Sequence, residues 1–196
     1  MNVLPVPASL DHRTIDGLFD QVALLGEGRT LFDARHLRWV DPNGMVGLLV
    51  AGSVCARRQG AVPKLQPPEG SDLLGYLGRM GFFEAAEKVF ELERPARRAP
   101  ARRGASDVLL EITSISANAD VHRVVDDVQA RAGAILTSKL GYPGTAVVQF
   151  CVILSEMCQN IVEHAEAPGW VAAQTYNWAR RLGRNVVVIS VMDVGR

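Results

Sequence analysis

The sequence predicts an α/β protein of two domains, and three observations carry that prediction. Strand-like runs alternate with segments of helical period from residue 2 to residue 93. A stretch of Arg, Pro and Ala without apolar period interrupts them at 94–104, and the alternation resumes over 105–196. Each half of the 196 residues is long enough to bury its own core. With 48% hydrophobic and 21% charged residues, the composition is that of a globular chain and excludes disorder over most of the length.

Asn2–Val6 reads as an edge strand, because Pro5 has no N–H to give to a central ladder. From Asp11 to Leu25 the apolar residues Ile15, Leu18, Phe19, Val22 and Leu25 recur at helical spacing, and Gly26 stops them. Thr30–Ala34 has the pattern of a buried strand. Asp41 and Pro42 then supply a side-chain cap and a first helical residue for a helix to about Gln59. Gly44, Gly47 and Gly52 lower its helix propensity but let it lie close to whatever it packs on. Val62–Gln66 reads as a further strand, Ser71–Leu77 as the start of a helix, and Met80-Gly81-Phe82-Phe83 as its end against the core. Arg94–Gly104 reads as an extended, solvated linker.

In the second half, Asp107–Ile112 has strand character, and Asn118 or Asp120 can cap a helix through about Leu140. Its apolar side includes Val121, Val124, Val125, Val128, Ala132, Ile135 and Leu136. Gly141-Tyr142-Pro143-Gly144 breaks it, and a second helix runs from about Thr145 to Ala165; the short break predicts antiparallel packing of the pair. The seam of the second helix is Val147, Cys151, Leu154, Cys158, Ile161 and Ala165. Roughly opposite, Glu156, Asn160 and His164 form a polar row, each four residues after the last. Gln159, Glu163 and Glu166 are polar as well, so the spacing by itself reads as a solvated face. Trp170–Trp178 and Asn185–Asp193, separated by a turn with Arg and Gly, read as a hairpin.

Lys and Arg number 21, as do Asp and Glu, but Arg94, Arg97, Arg98, Arg102 and Arg103 crowd into the linker. Setting these aside leaves 16 basic against 21 acidic residues, which does not suggest a nucleic-acid-binding domain. Cys55, Cys151 and Cys158 are odd in number and lack metal-binding spacing, so they read as buried thiols in a reducing compartment, without disulfide or zinc. The start, MNVLPVPASLDH, has neither a basic nor an apolar leader region, and the longest mostly apolar run, Gly44–Ala56, is too short for a bilayer. The expectation is a cytoplasmic protein with no membrane partner.

A strand ending in Asp33, the loop Val40-Asp41-Pro42-Asn43-Gly44, a helix carrying Leu48 and the Gly81-Phe82-Phe83 ending resemble the STAS fold of bacterial anti-anti-sigma factors, over residues 1–93. In that family a Ser at the start of the helix is phosphorylated by a partner kinase. Here Asn43 takes that position and Pro42 precedes it, so the resemblance implies a degenerate domain that is not switched by phosphate at this loop.

The order strand, helix, helix with Glu156-x-x-x-Asn160-x-x-x-His164, strand, and strand ending in Asp193-x-Gly195 resembles the GHKL (histidine kinase-like) ATPase superfamily. Within it, the pattern is similar to the anti-sigma-factor serine kinases. The resemblance implies an incomplete Bergerat-type α/β sandwich over 105–196 with ATP and Mg²⁺ as cofactors. Carried over, Glu156 is the catalytic residue that orients or deprotonates the nucleophile, Asn160 the Mg²⁺ ligand and Asp193 the acceptor for the adenine amino group, while Gly195 lets the backbone approach the base. The residue types suit the task, since Mg²⁺ keeps waters and phosphate oxygens and phosphoryl transfer depends on positioning. His164 lies at the helix end, where the C-terminal dipole favours it, and is not assigned to the catalytic set. The family's first glycine box continues to a further Gly, followed by an ATP lid and a second glycine box; the sequence stops at Arg196. The expectation is therefore a fragment that binds ATP weakly or not at all.

Together the two resemblances imply a bacterial regulatory protein that joins a STAS-like domain to an ATP-dependent serine/threonine kinase domain. Its partners would be another STAS-domain protein, a sigma factor, its own N-terminal domain or a second copy. The alternative is a non-catalytic scaffold that docks through the degenerate loop. A sensor histidine kinase is disfavoured, because His122 sits at the start of a helix already assigned to the fold.

Overall fold

The computed structural model describes residues 1–93, 108–137, 141–165, 168–177 and 185–195. The chain is mixed α/β and divides into two units, Met1–Arg102 and Arg103–Arg196. The boundary, like the linker read at 94–104, lies outside the described residues.

The first unit is built on a parallel sheet in the order β1 (Asn2–Pro5), β3 (Thr30–Asp33), β5 (Lys64–Gln66), β6 (Glu91–Leu92). A second parallel ladder pairs β2 (Ser9–Leu10) with β4 (Trp39–Val40). The helices are α1 (Ile15–Leu24), α2 (Pro42–Gln59), α3 (Ser71–Arg79) and α4 (Phe82–Ala86). β1 lies at the sheet edge, where Pro5 costs no central bond. α1 starts at Ile15 rather than Asp11 because a turn uses up the residues before it. The Asp11 carbonyl accepts the N–H groups of Thr14 and Ile15, both at 3.0 Å, and Thr14 Oγ1 accepts the Asp11 N–H at 3.0 Å.

α2 begins as its sequence requires. The Asp41 backbone is extended, its Oδ1 accepts the Gly44 N–H at 2.8 Å, and Pro42 opens the helix. Burial pushes the Asp41 carboxyl up from its ordinary range, opposed by the Gly44 N–H. The helix lies so close to its neighbours that a β-carbon on Gly44 would collide with the Leu10 carbonyl, and one on Gly52 with the Phe90 ring. Phe90 in turn meets Phe32 edge to face at 5.2 Å, and Met45, Leu49 and Leu65 of the same unit are fully buried.

The second unit has an antiparallel sheet in the order β7 (Val108–Ile115), β8 (Gly169–Asn177), β9 (Asn185–Met192). Register between β8 and β9 is unbroken from Trp170↔Met192 to Asn177↔Asn185, as the hairpin pattern predicts; Trp178 and the turn residues 179–184 lie outside the described residues. Between β7 and β8 the register shifts twice. α5 (Asn118–Ala132) runs into a π-helical turn, Gly133–Thr137, in place of the continuous helix expected through Leu140, and 138–140 lie outside the described residues. α6 (Gly144–His164) returns beside it. A hydrogen bond of 3.2 Å from Gln159 Nε2 to Asn118 Oδ1 ties the end of α6 to the start of α5, as antiparallel packing requires.

Val124, Val128, Leu154, Cys158, Val171 and Ala173 form a closed core, with Val187, Ile189 and Val191 of β9 packed against it. Each fully buried aliphatic side chain there contributes about 1.5–3 kcal/mol. The three cysteines are free thiols and all buried, and burial pushes the Cys158 thiol up to about 11. By length and composition α6 is the one described helix able to cross a bilayer, yet here its seam is buried within this unit.

At the start of α5, Asp120 Oδ2 accepts the N–H groups of Ser116 at 2.9 Å and Ala117 at 3.1 Å. The Ser116 N–H is the main cause that holds this carboxyl below its ordinary value of 3.8. A depressed carboxyl stabilises the fold above its unfolded value and loses that contribution as pH falls through the folded one. Asp120→Ala is therefore expected to lower unfolding stability near neutral pH by about 1 kcal/mol. In urea titrations the deficit should shrink as pH drops below 3.8; a deficit unchanged with pH would contradict this role.

Candidate functional site

The seam of α6 turns inward as its period dictates. Val147, Cys151, Leu154, Cys158 and Ile161 are buried, and Ala165 packs against the same core. Glu156, Asn160 and His164 are exposed on the other side, on successive turns. Among the described residues, neither the Glu156 nor the Asn160 side chain is taken up by a hydrogen bond or ion pair. His164 Nε2 lies 3.9 Å from Glu163 Oε2, too far for a hydrogen bond.

The outer face of α6 is less polar than its sequence suggests. Val148, Val152 and Ile153 are 55–60% exposed and Met157 39%. Val152 and Ile153 stand on either side of the Glu156 direction, so the face that carries Glu156, Asn160 and Glu163 is mixed apolar and polar. Val148 and Val152 extend the row of Glu156, Asn160 and His164 toward the start of the helix, each four residues from the next, and Ile153 lies beside it.

At the far end of β9, Asp193 is partly buried and its Oδ1 accepts the Gly195 N–H at 2.6 Å. Gly195 has φ +68°, in the left-handed region that favours glycine. The two segments meet at Gly169, the first residue of β8. A β-carbon there would stand 2.7 Å from Ile161 Cδ1 and 2.7 Å from the Met192 carbonyl oxygen. What meets at Gly169 is Ile161, the neighbour of Asn160 in sequence, and Met192, the neighbour of Asp193; Asn160 itself is exposed, off the buried seam to which Ile161 belongs. Sequence patterns give Gly169 only as part of a Pro-Gly break; the signal that could have singled it out is a glycine opening an apolar strand, which marks close backbone approach.

Among the described residues, no three His, Cys, Asp or Glu side chains cluster to hold a metal. The donors present are one amide oxygen, Asn160, and one carboxylate a turn away, Glu156. That set fits a hard cation that keeps waters and phosphate oxygens as most of its ligands, as Mg²⁺ does, and does not fit an all-protein cage. No protein-family model, curated protein or solved structure matches the chain.

Gly169→Ala would force a methyl group between Ile161 and the β9 backbone. The substitution is expected to cost about 1–3 kcal/mol in urea unfolding and to move the amide resonances of residues 193–195. A variant as stable as the parent, with those resonances in place, would contradict the close approach.

Proposed function

We propose that the second unit forms one wall of a Mg-ATP site of the anti-sigma-factor serine kinase type, joined to a STAS-like unit in a bacterial, cytoplasmic regulatory protein. The observation that supports this reading is the close approach at Gly169 of Ile161 and Met192, the sequence neighbours of Asn160 and Asp193. A Bergerat-type sandwich is the fold that goes with it: two helices packed on a sheet whose last described strand, β9, ends at Met192, just before Asp193-x-Gly195.

In this reading Asp193 is oriented by the Gly195 N–H on Oδ1, which leaves Oδ2 to accept the adenine amino group. Gly195, without a side chain, allows the base to approach the backbone. The Asn160 amide oxygen would hold Mg²⁺, which would supply charge neutralisation at the transferring phosphoryl group. Glu156, one turn earlier, aligns a Ser or Thr hydroxyl and takes its proton. Val152 and Ile153 beside it would exclude water once an acceptor protein covers them. The acceptor is a hydroxyl on another STAS-domain protein, with a sigma factor as a further partner. The first unit's own loop offers none at Pro42-Asn43.

A second reading, a non-catalytic scaffold, is favoured by the exposed apolar residues of α6, which suit partner binding whether or not phosphate is transferred. Calorimetric titration of the chain with Mg-ATP is expected to give a dissociation constant weaker than micromolar, since so few donors face the phosphates. Asp193→Ala should weaken it about tenfold, the loss of one hydrogen bond to a charged group. Glu156→Ala should leave binding intact and abolish transfer of labelled γ-phosphate to a STAS-domain acceptor. Affinity indifferent to both Asp193→Ala and Asn160→Ala would overturn the nucleotide site, and binding without transfer in the parent chain would favour the scaffold.

A further inference from the structure

The first turn of α2 holds an Asn-Gly pair, Asn43 and Gly44, at a point where packing and backbone chemistry oppose each other. Packing fixes the glycine: its Cα faces the Leu10 carbonyl, with Val40 Cγ2 2.9 Å from where a β-carbon would stand. Backbone chemistry makes the same glycine a hazard. An amide nitrogen with no neighbouring β-carbon is the least hindered one for attack on the preceding carboxamide. The carboxamide is not tied down either, for Asn43 Oδ1 is buried without a hydrogen-bond partner.

Two features hold the pair apart. Asp41 Oδ1 accepts the Gly44 N–H at 2.8 Å, and both residues lie in helical backbone. Closing a five-membered ring requires the Gly44 nitrogen to leave Asp41 and swing towards Asn43 Cγ, which the helical dihedrals do not allow.

We propose that Asn43-Gly44 is a latent deamidation site kept closed by the Asp41 cap, so that opening of the first turn of α2 converts residue 43 to aspartate or isoaspartate. The Gly44 nitrogen loses its proton to solvent base and bonds to Asn43 Cγ, and the carboxamide nitrogen leaves as ammonia. One water then opens the succinimide at either carbonyl, so the sum is asparagine plus water giving the acid plus ammonia. The new carboxylate arises two residues from Asp41, whose buried carboxyl already feels Asp11. Aspartate in this first turn suits the helix dipole, whereas isoaspartate, with its extra backbone carbon, cannot rejoin the helix. None of this depends on the nucleotide site.

The test is to age the chain at mildly alkaline pH, native and in urea, and to follow the peptide containing residue 43 by mass and by isoaspartate content. Conversion at Asn43 is expected to be at least tenfold slower in the native chain than in urea. Asp41→Ala should speed native conversion about fivefold, the factor by which loss of a typical cap favours an opened turn. Asp41→Asn, which retains a capping oxygen and whose own following Pro42 blocks ring closure, should convert at the parent rate. Native conversion as fast as in urea overturns the proposal. So does a folded Asp41→Ala chain that ages like the parent. Should Asp41→Ala fail to fold, rapid conversion in folded Asp41→Asn would overturn it instead.

Discussion

A β-carbon on Gly169 would stand 2.7 Å from both Ile161 Cδ1 and the Met192 carbonyl oxygen, so the start of β8 is where α6 and β9 are pressed together. Protein interiors tolerate little misfit, and a contact this tight fixes the height of the helix over the strand. The residues that meet there, Ile161 and Met192, are the sequence neighbours of Asn160 and Asp193. The closed core of Leu154, Cys158, Val171 and Ala173 stands behind this contact and keeps it from relaxing.

The first unit uses the same device for a different purpose. Gly44 lets the start of α2 rest on the Leu10 carbonyl, and Asp41 then caps the turn that this approach makes possible. Both units therefore depend on glycines at which side chains are forbidden by neighbours. In the second unit the approach sets α6 against β9, while in the first it places a reactive Asn-Gly pair under a cap. Pro42 and Asn43 carry no hydroxyl, and the Asn43 carboxamide lies next to Gly44 in that loop.

Much of this was legible from periodicity. The seam of α6, the Asp41-Pro42 start of α2, strands β3 and β5 and the β8–β9 hairpin all follow from repeats long enough to be counted. The two-residue ladders β2, β4 and β6 and the short α4 leave no such repeat, since a period needs several residues to appear. The late start of α1 depends on Thr14 and Arg13 engaging Asp11, a local contest between side chain and helix that hydrophobic spacing does not register. Glu156, Asn160, Asp193 and Gly195 were legible as motifs, but the approach of Ile161 to Met192 at Gly169 was not. Gly169 and Ile153 belong to no such repeat, and Val152, though it continues the Glu156 row, shows its exposure only in the structure.

The central claim is that the Asn160 turn of α6 and the Asp193-x-Gly195 end of β9 face one bound nucleotide. Replacing Mg²⁺ by paramagnetic Mn²⁺ tests it most directly, with ATP added to the isotope-labelled chain and line broadening read residue by residue. The account predicts ATP-dependent broadening at Asn160 and its neighbours together with residues 193–195. Broadening confined to one of the two segments, or centred elsewhere in the chain, would contradict it.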